Sequence, residues 1–406
     1  MKPRVLMLAY ACDPQGAGEH WLGWGWAEQA ARNFEVELIT TPKARKSVEG
    51  ACPPLGITPH FVDTPRTVRS LTERFGGAWW RKWAWQTRAV KLARRLHTQN
   101  PFALVHQTTF HTFRVPFRAA SLGLPSVWGP IAGGERVPPG FESYLGSARF
   151  SEAARHRANR AWLRIPAVQK ALQQSSVLFV SNHTTLEALP ENVHPKSIIV
   201  PPNALRQEDE QWTPADRRQP PPDAPFRLLY VGNCVATRAI PIVLEALNLA
   251  RIDKLEFNIL GGGPALESWK KLPRQFHLEH QVLFRGKVPY TDLASYYASA
   301  DVLVFPALRD SGGSALLEAM ARFVPVICLD WAGPGEMIDN ESGIKIPVSN
   351  PVQTIPDFAH ALLRLQQEPQ LRTKLAAAAR LRAENLFRWE AKRLLLEKTY
   401  RTLIRQ

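Results

Sequence analysis

The sequence predicts an α/β protein made of two doubly wound, parallel-sheet domains, and three observations predict it. The chain has 406 residues, beyond the length at which one hydrophobic core usually keeps growing. Short continuous apolar runs alternate with helical patterns, the layout of a parallel sheet covered on both faces. A polar, proline-rich stretch at 206–225 interrupts the alternation, which then restarts.

In chain order, Arg4 to Ala9 reads as a buried strand, followed by the glycine-containing loop Asp13 to Gly18 and an aromatic helix. Val36–Thr40, Ile57–Val62, Leu104–His106, Ser126–Trp128 and Val177–Val180 continue a first Rossmann-like domain, 1–205. Pro214, Pro220, Pro221, Pro222 and Pro225 stiffen 206–225, read as the linker. Leu228–Val231, Phe257–Leu260, Val282–Phe284, Val302–Phe305, Val326–Leu329 and Ile344–Ile346 give a second Rossmann-like domain, 226–385, with a ligand cleft expected between the two. The last stretch is helical by period, and 386–406 is expected to pack back on the first domain.

The composition, 45% hydrophobic and 21% charged, is that of an ordinary globular protein. Four scattered cysteines lack zinc or redox spacing and fit free thiols in a reducing compartment. With no apolar stretch long enough to span a bilayer and no secretory leader pattern, the chain reads as cytoplasmic. A net charge of +15 calls for an anionic neighbour. Nucleic acid is not expected as a partner, since no nucleic-acid-reading motif accompanies the charge.

Function should lie in the loops after the strands. The most informative runs from Phe305 through Asp310, Ser311, Gly312, Gly313 and Ser314 to Glu318 and Met320. A strand ends, an acid follows, and two glycines open a helix whose unpaired N–H groups and dipole suit phosphate or a sugar oxygen. Taken alone, such an acid pair is more often a solvated loop and a helix face.

This stretch resembles the two-acid motif of family-four retaining glycosyltransferases of GT-B fold. The resemblance continues through Met320 to Asp330 and Gly333 to Glu336, and backward to Leu260–Pro264 and Ala300-Asp301. It extends more loosely to Ala11–Pro14, Gly16–Glu19 and Trp128–Glu135. It implies that Glu318 accepts hydrogen bonds from the nucleotide ribose and that Asp310 sits at the donor sugar. Carboxylates suit both tasks as acceptor-only groups.

The resemblance also implies an arginine and a lysine after the strand ending at Val231, to meet the donor diphosphate. This chain has Asn233 and Arg238 there, so Arg238 is expected to carry that charge with the helix start, and no metal or other cofactor is called for. Gly262 and Gly263, in a turn that is not a dinucleotide-binding spacing, are expected to bring backbone to the donor. Gly16 and Gly18 are expected to offer amides to the diphosphate or acceptor; an ordinary strand-to-helix turn is the alternative. The resemblance implies a histidine after a middle strand of the first domain. The loop at Gly129 to Glu135 has none, and His106 is the substitute expected to line the cleft, a buried, satisfied histidine being the alternative.

Between Arg66 and Arg95 nine basic residues accompany one acid, Glu73, with Trp79, Trp80, Trp83 and Trp85 among them. The pattern fits an acceptor-side helix touching anionic lipid on the inner face of the cell membrane. Trp85, Ala89, Leu92 and Leu96 at helical spacing fit plain core as well. The reading is thus a glycosyltransferase moving a sugar from a nucleotide-diphosphate-sugar donor to a glycan, a lipid-linked glycan or a small molecule, with retention. A catalytically weak nucleotide-sugar-binding subunit and a nonhydrolysing sugar-nucleotide epimerase are the alternatives.

Overall fold

The computed structural model describes residues 2–16, 18–75, 78–218, 221 and 223–405. Ala17 of the first glycine loop, and Pro220 and Pro222 of the expected linker, lie outside the described residues. The chain forms two compact units. One holds Met1–Gly134, Arg157–Pro202 and Trp389–Gln406, the other Glu135–His156 and Asn203–Arg388.

In the first unit seven strands form one sheet: β1 (Arg4–Ala9), β2 (Glu35–Thr40), β3 (Ile57–Phe61), β4 (Leu104–Gln107), β5 (Ser126–Ile131), β6 (Val177–Val180) and β7 (Ser197–Ile199). They lie in the order β3-β2-β1-β4-β5-β6-β7, and every pairing is parallel. Side chains alternate across a strand, so β1 sends Leu6 and Leu8 into one core with Trp85 and Ala89. Val5, Met7 and Ala9 enter the opposite core with Trp26, Leu396 and Tyr400. Burial on both faces explains why β1 reads as an unbroken apolar run.

The second unit repeats the plan with β8 (Phe226–Val231), β9 (Leu255–Leu260), β10 (Val282–Gly286), β11 (Val302–Phe305), β12 (Val326–Leu329) and β13 (Gly343–Ile346). The order is β10-β9-β8-β11-β12-β13, again parallel. Leu228, Tyr230 and Ile259 face the helices Ile240–Ala250 and Pro351–Gln367. Leu229, Leu303 and Phe305 face Ser314–Ala321 and Pro369–Phe387.

The units divide the chain differently from the sequence reading. The expected linker belongs to the second unit. Its helix Gln207–Glu210 buries Asp209, which pairs with Arg322 at 2.7 Å, while Arg380 donates to the Asp209 carbonyl at 2.8 Å. Residues 135–156, expected in the first domain, also belong to the second unit, whereas the helix Trp389–Arg405 belongs to the first. All four cysteines are free and buried. Among the described residues no helix is long and apolar enough to cross a membrane.

The basic, aromatic region forms the helices Arg66–Phe75 and Ala78–Gln99. Trp85 is core, its Nε1 donating to the Val62 carbonyl at 2.9 Å. Trp79 and Trp83 both pack on Trp162, at 6.5 and 6.3 Å between ring centroids. Trp80 is 68% exposed.

Candidate functional site

In the second unit the loops following β8, β9, β10 and β11 enclose a cavity of about 460 Å³. These are carboxyl ends of adjacent parallel strands, and the cavity spans the point between β8 and β11 where the strand order reverses. A larger groove of about 810 Å³, lined by Tyr144, Glu245, Trp269 and Arg309, lies in the same unit but contains none of the expected site residues.

Arg238 and Asp310 meet in the smaller cavity. Arg238 ends a single 3-10 turn after β8, Asp310 lies in the loop after β11, and those two strands are neighbours. Their side chains form a part-buried ion pair. The guanidinium also lies 4.9 Å from the Phe305 ring centroid. Asp310 further accepts the Gly312 N–H through Oδ1 at 3.1 Å, so one carboxylate fixes both the cation and the glycine turn.

Glu318 reaches the cavity from the helix Ser314–Ala321. Its Oε2 accepts the Tyr297 hydroxyl at 2.8 Å and stands 3.9 Å from Arg322, one helical turn further on. Burial pushes the Glu318 carboxyl above its ordinary range, and the Tyr297 bond and Arg322 pull it part of the way back. Its Oε1 has no protein hydrogen bond among the described residues, which leaves an acceptor for a ligand hydroxyl.

No side chain caps this helix at Gly313, so its first N–H groups stay open to a ligand. A Cβ at Gly313 would come within 2.6 Å of the Phe305 ring. The adjacent loops are as close: a Cβ at Gly261, where φ is +140°, would sit 1.8 Å from the Gly232 carbonyl oxygen. Glycine is therefore required where the β8 and β9 loops meet.

Asn233, Gly262, Gly312, Gly313 and Ser314 line the cavity beside these groups. Gly263 and Ser311 do not. The α-carbon of Gly263 turns toward Cys234, where a Cβ would meet the carbonyl oxygen at 2.4 Å. Gly16 and Gly18 belong to the other unit and do not line its own cavity. Reading the sequence missed Tyr297, which orients Glu318, and Lys287, which lines the cavity from the loop after β10 and has no ion-pair partner among the described residues. Arg322, four residues after Glu318 in a helical run, was legible by spacing.

His106 requires a correction. It is fully buried in the first unit, where Nε2 donates to the Gly129 carbonyl at 2.9 Å and Nδ1 accepts the Tyr400 hydroxyl at 2.6 Å. A carbonyl can only accept, which fixes this neutral tautomer. Burial lowers its pKa to about 4. With both nitrogens occupied and no exposed edge, His106 is a core histidine and not a catalytic one. His111, in the loop after β4, has its backbone N–H on Glu19 Oε1 at 2.9 Å.

Two parallel-sheet, Rossmann-like units of this kind define the GT-B fold of glycosyltransferases. Sucrose-phosphate synthase from Thermosynechococcus elongatus superposes over 99% of this chain and 99% of its own, with a TM-score of 0.66 and 19% identity. HepE from Anabaena, solved in complex with UDP, superposes over 98% and 100%, with a TM-score of 0.66 and 14% identity. Identities this low carry the fold alone.

Residues 213–382 match the family of glycosyl transferases group 1. The chain is 32% identical over 200 residues to a D-inositol 3-phosphate glycosyltransferase of Streptomyces bingchenggensis, covering 45% of this chain and 43% of that protein. It is 25% identical over 271 residues to a GDP-mannose-dependent alpha-(1-6)-phosphatidylinositol monomannoside mannosyltransferase of Mycolicibacterium smegmatis, covering 60% and 68%. The chain thus spans less than half the length of the first of these relatives.

Proposed function

We propose that the chain is a retaining glycosyltransferase that takes a sugar from a nucleotide-diphosphate-sugar bound in the second unit. The observation that carries this reading is the cavity holding Arg238, Asp310, Glu318 and the uncapped helix start at Gly313 together at the carboxyl ends of four strands. In this reading Glu318 accepts ribose hydroxyls, and Asp310 lies at the sugar. The diphosphate lies over the helix N-terminus, where open N–H groups and the dipole favour it. Arg238 and Lys287 add the cations that Asn233 does not supply, so the leaving phosphate needs no metal for neutralisation.

Arg238 is already engaged by Asp310, so the arriving diphosphate must share or take over that cation. An arginine presents five donors and can serve a carboxylate and a phosphate together. The same pairing supports a second reading, a nucleotide-sugar-binding subunit with weak catalysis, in which the pair never opens. The acceptor is proposed to be a glycan, a lipid-linked glycan or a small molecule met by the first unit, on the inner face of the cell membrane where lipid-linked.

Incubation with a panel of nucleotide-sugars and acceptors, following nucleotide release, tests the transferase reading. Release that depends on acceptor supports it. Binding without release turns the account to the subunit reading, and conversion of donor alone to its epimer turns it to an epimerase.

A further inference from the structure

The first unit has a cavity of its own, about 620 Å³, at the carboxyl ends of β1, β2 and β3. Tyr10 follows β1, Thr41 follows β2, and Asp63 and Thr64 follow β3. Like the cavity of the second unit it opens at the carboxyl ends of adjacent parallel strands, here on the β1-β2-β3 side of the sheet.

Its lining is cationic. Lys43, Arg69, Arg81 and Lys82 reach it from three different segments, with His20 beside them, against a single lining acid, Asp63, which is already paired with Arg69. Lys82 is the distinctive member. Its Nζ is drawn in over the rings of Phe110 and Trp79, at 4.7 and 5.2 Å from their centroids, and burial lowers its pKa. Among the described residues no carboxylate forms an ion pair with it. Glu19 acts on it only through space and has Oε1 occupied by the His111 N–H. A solvated surface lysine would keep its ammonium in water. A half-buried one without a counter-ion is a cost that an anionic ligand offsets. Tyr10, its hydroxyl bonded to Thr64 and its phenol kept protonated by burial, adds a neutral polar group to the wall.

We propose that this cavity binds a phosphate group carried by the acceptor, with Lys82 and Arg81 as its principal cationic contacts. The assignment of the phosphate to an acceptor rests on the transferase reading above, but the binding of phosphate does not. The phosphate can belong to a soluble sugar phosphate or to a lipid headgroup, and the chemistry of recognition is the same.

Titration calorimetry with glucose 6-phosphate, with glucose as control, tests the site without any need for transfer. Wild type and Arg238→Ala should bind glucose 6-phosphate alike and with a salt-sensitive affinity, and glucose should not compete. Arg81→Gln with Lys82→Gln should weaken binding at least about tenfold, and Lys82→Arg should restore most of it. Lys43→Gln, at an exposed position that cannot threaten folding, should weaken it by a smaller factor at unchanged melting temperature. Sedimentation with phosphatidylcholine vesicles containing phosphatidic acid separates the sources: a Lys82-dependent loss there assigns a lipid phosphate, and its absence beside a Lys82-dependent sugar-phosphate affinity assigns a soluble one. If no phosphate probe binds saturably, if its affinity ignores all the cavity variants, or if Arg238→Ala alone abolishes it, the proposal is overturned. Failure of sugar transfer with Lys82-dependent phosphate binding intact would instead strike the transferase reading and leave this site standing.

Discussion

Arg238 and Asp310, 72 residues apart in the chain, form an ion pair inside the cavity at the carboxyl ends of β8 and β11. In the proposed donor site one side chain belongs to the phosphate and the other to the sugar, so the pair links the two ends of the bond that breaks. Asp310→Asn keeps size but loses the charge that holds Arg238. Turnover should fall more than nucleotide affinity, because the released guanidinium remains available to phosphate. Steady-state kinetics beside nucleotide titration checks this, and a larger loss in affinity than in turnover would reverse the roles of the two acids.

Arg238→Ala should cost at least about 3 kcal/mol in kcat/KM, the scale of one lost preorganised contact to developing charge. Asn233→Arg should raise donor affinity, since position 233 lines the same cavity as Arg238 and Lys287 and a new cation there adds to the charge that meets the diphosphate. Kinetics indistinguishable from wild type for Arg238→Ala would place the diphosphate elsewhere.

Glu318→Gln should weaken nucleotide binding by roughly 1–3 kcal/mol, exchanging a charged acceptor for a neutral one. Its effect on stability has the opposite sign. The carboxyl is raised by burial, so its stabilising contribution is full below the ordinary carboxylate pKa and is lost as pH rises through the raised value. Glutamine does not ionise, so the variant's melting temperature should gain on wild type as pH rises through that window. A difference that stays constant across it would mean the carboxyl is not raised.

His106 supplies a pH signature of the first unit. Its pKa is lowered from 6.5 to about 4, so the neutral form is the one the fold requires. Stability is full above the ordinary value and falls as pH drops from 6.5 toward 4, by about 3 kcal/mol at most from this residue. His106→Gln should lower stability at neutral pH, flatten this dependence and leave the nucleotide affinity of the folded protein unchanged. Thermal unfolding across that range measures the first two, and a loss of nucleotide affinity would return His106 to the site.

Strands β1, β6, β11 and β12 were readable because they are buried on both faces and therefore near-continuous apolar runs, and they have the expected bounds. Strand β7 escaped because Ser197–Ile199 is a three-residue, half-buried edge. The expected linker looked like one because its prolines and charges are local facts, whereas its burial depends on Arg322 and Arg380, far along the chain. The acids at 310 and 318 were legible through the strand, turn and helix around them. Lys287 and Tyr297 were not, since nothing near them in sequence marks a side chain that meets its partners only through the fold.

The basic helix was half legible. Trp85 followed the core pattern, while Trp80 and the exposed Lys91, Arg94 and Arg95 keep the lipid proposal open to test. Lys91→Gln, Arg94→Gln and Arg95→Gln together should reduce sedimentation with vesicles containing phosphatidylglycerol, with the difference fading as salt rises. Equal sedimentation of variant and wild type would end the lipid reading of this face.

A crystal structure of the protein soaked with UDP or GDP tests the central claim most directly. The account predicts the ribose hydroxyls on the Glu318 carboxylate and the diphosphate over the open N–H groups at Gly313 and Ser314, within reach of Arg238 and Lys287. A nucleotide bound outside this cavity, with Glu318 still making only its Tyr297 and Arg322 contacts, would contradict it.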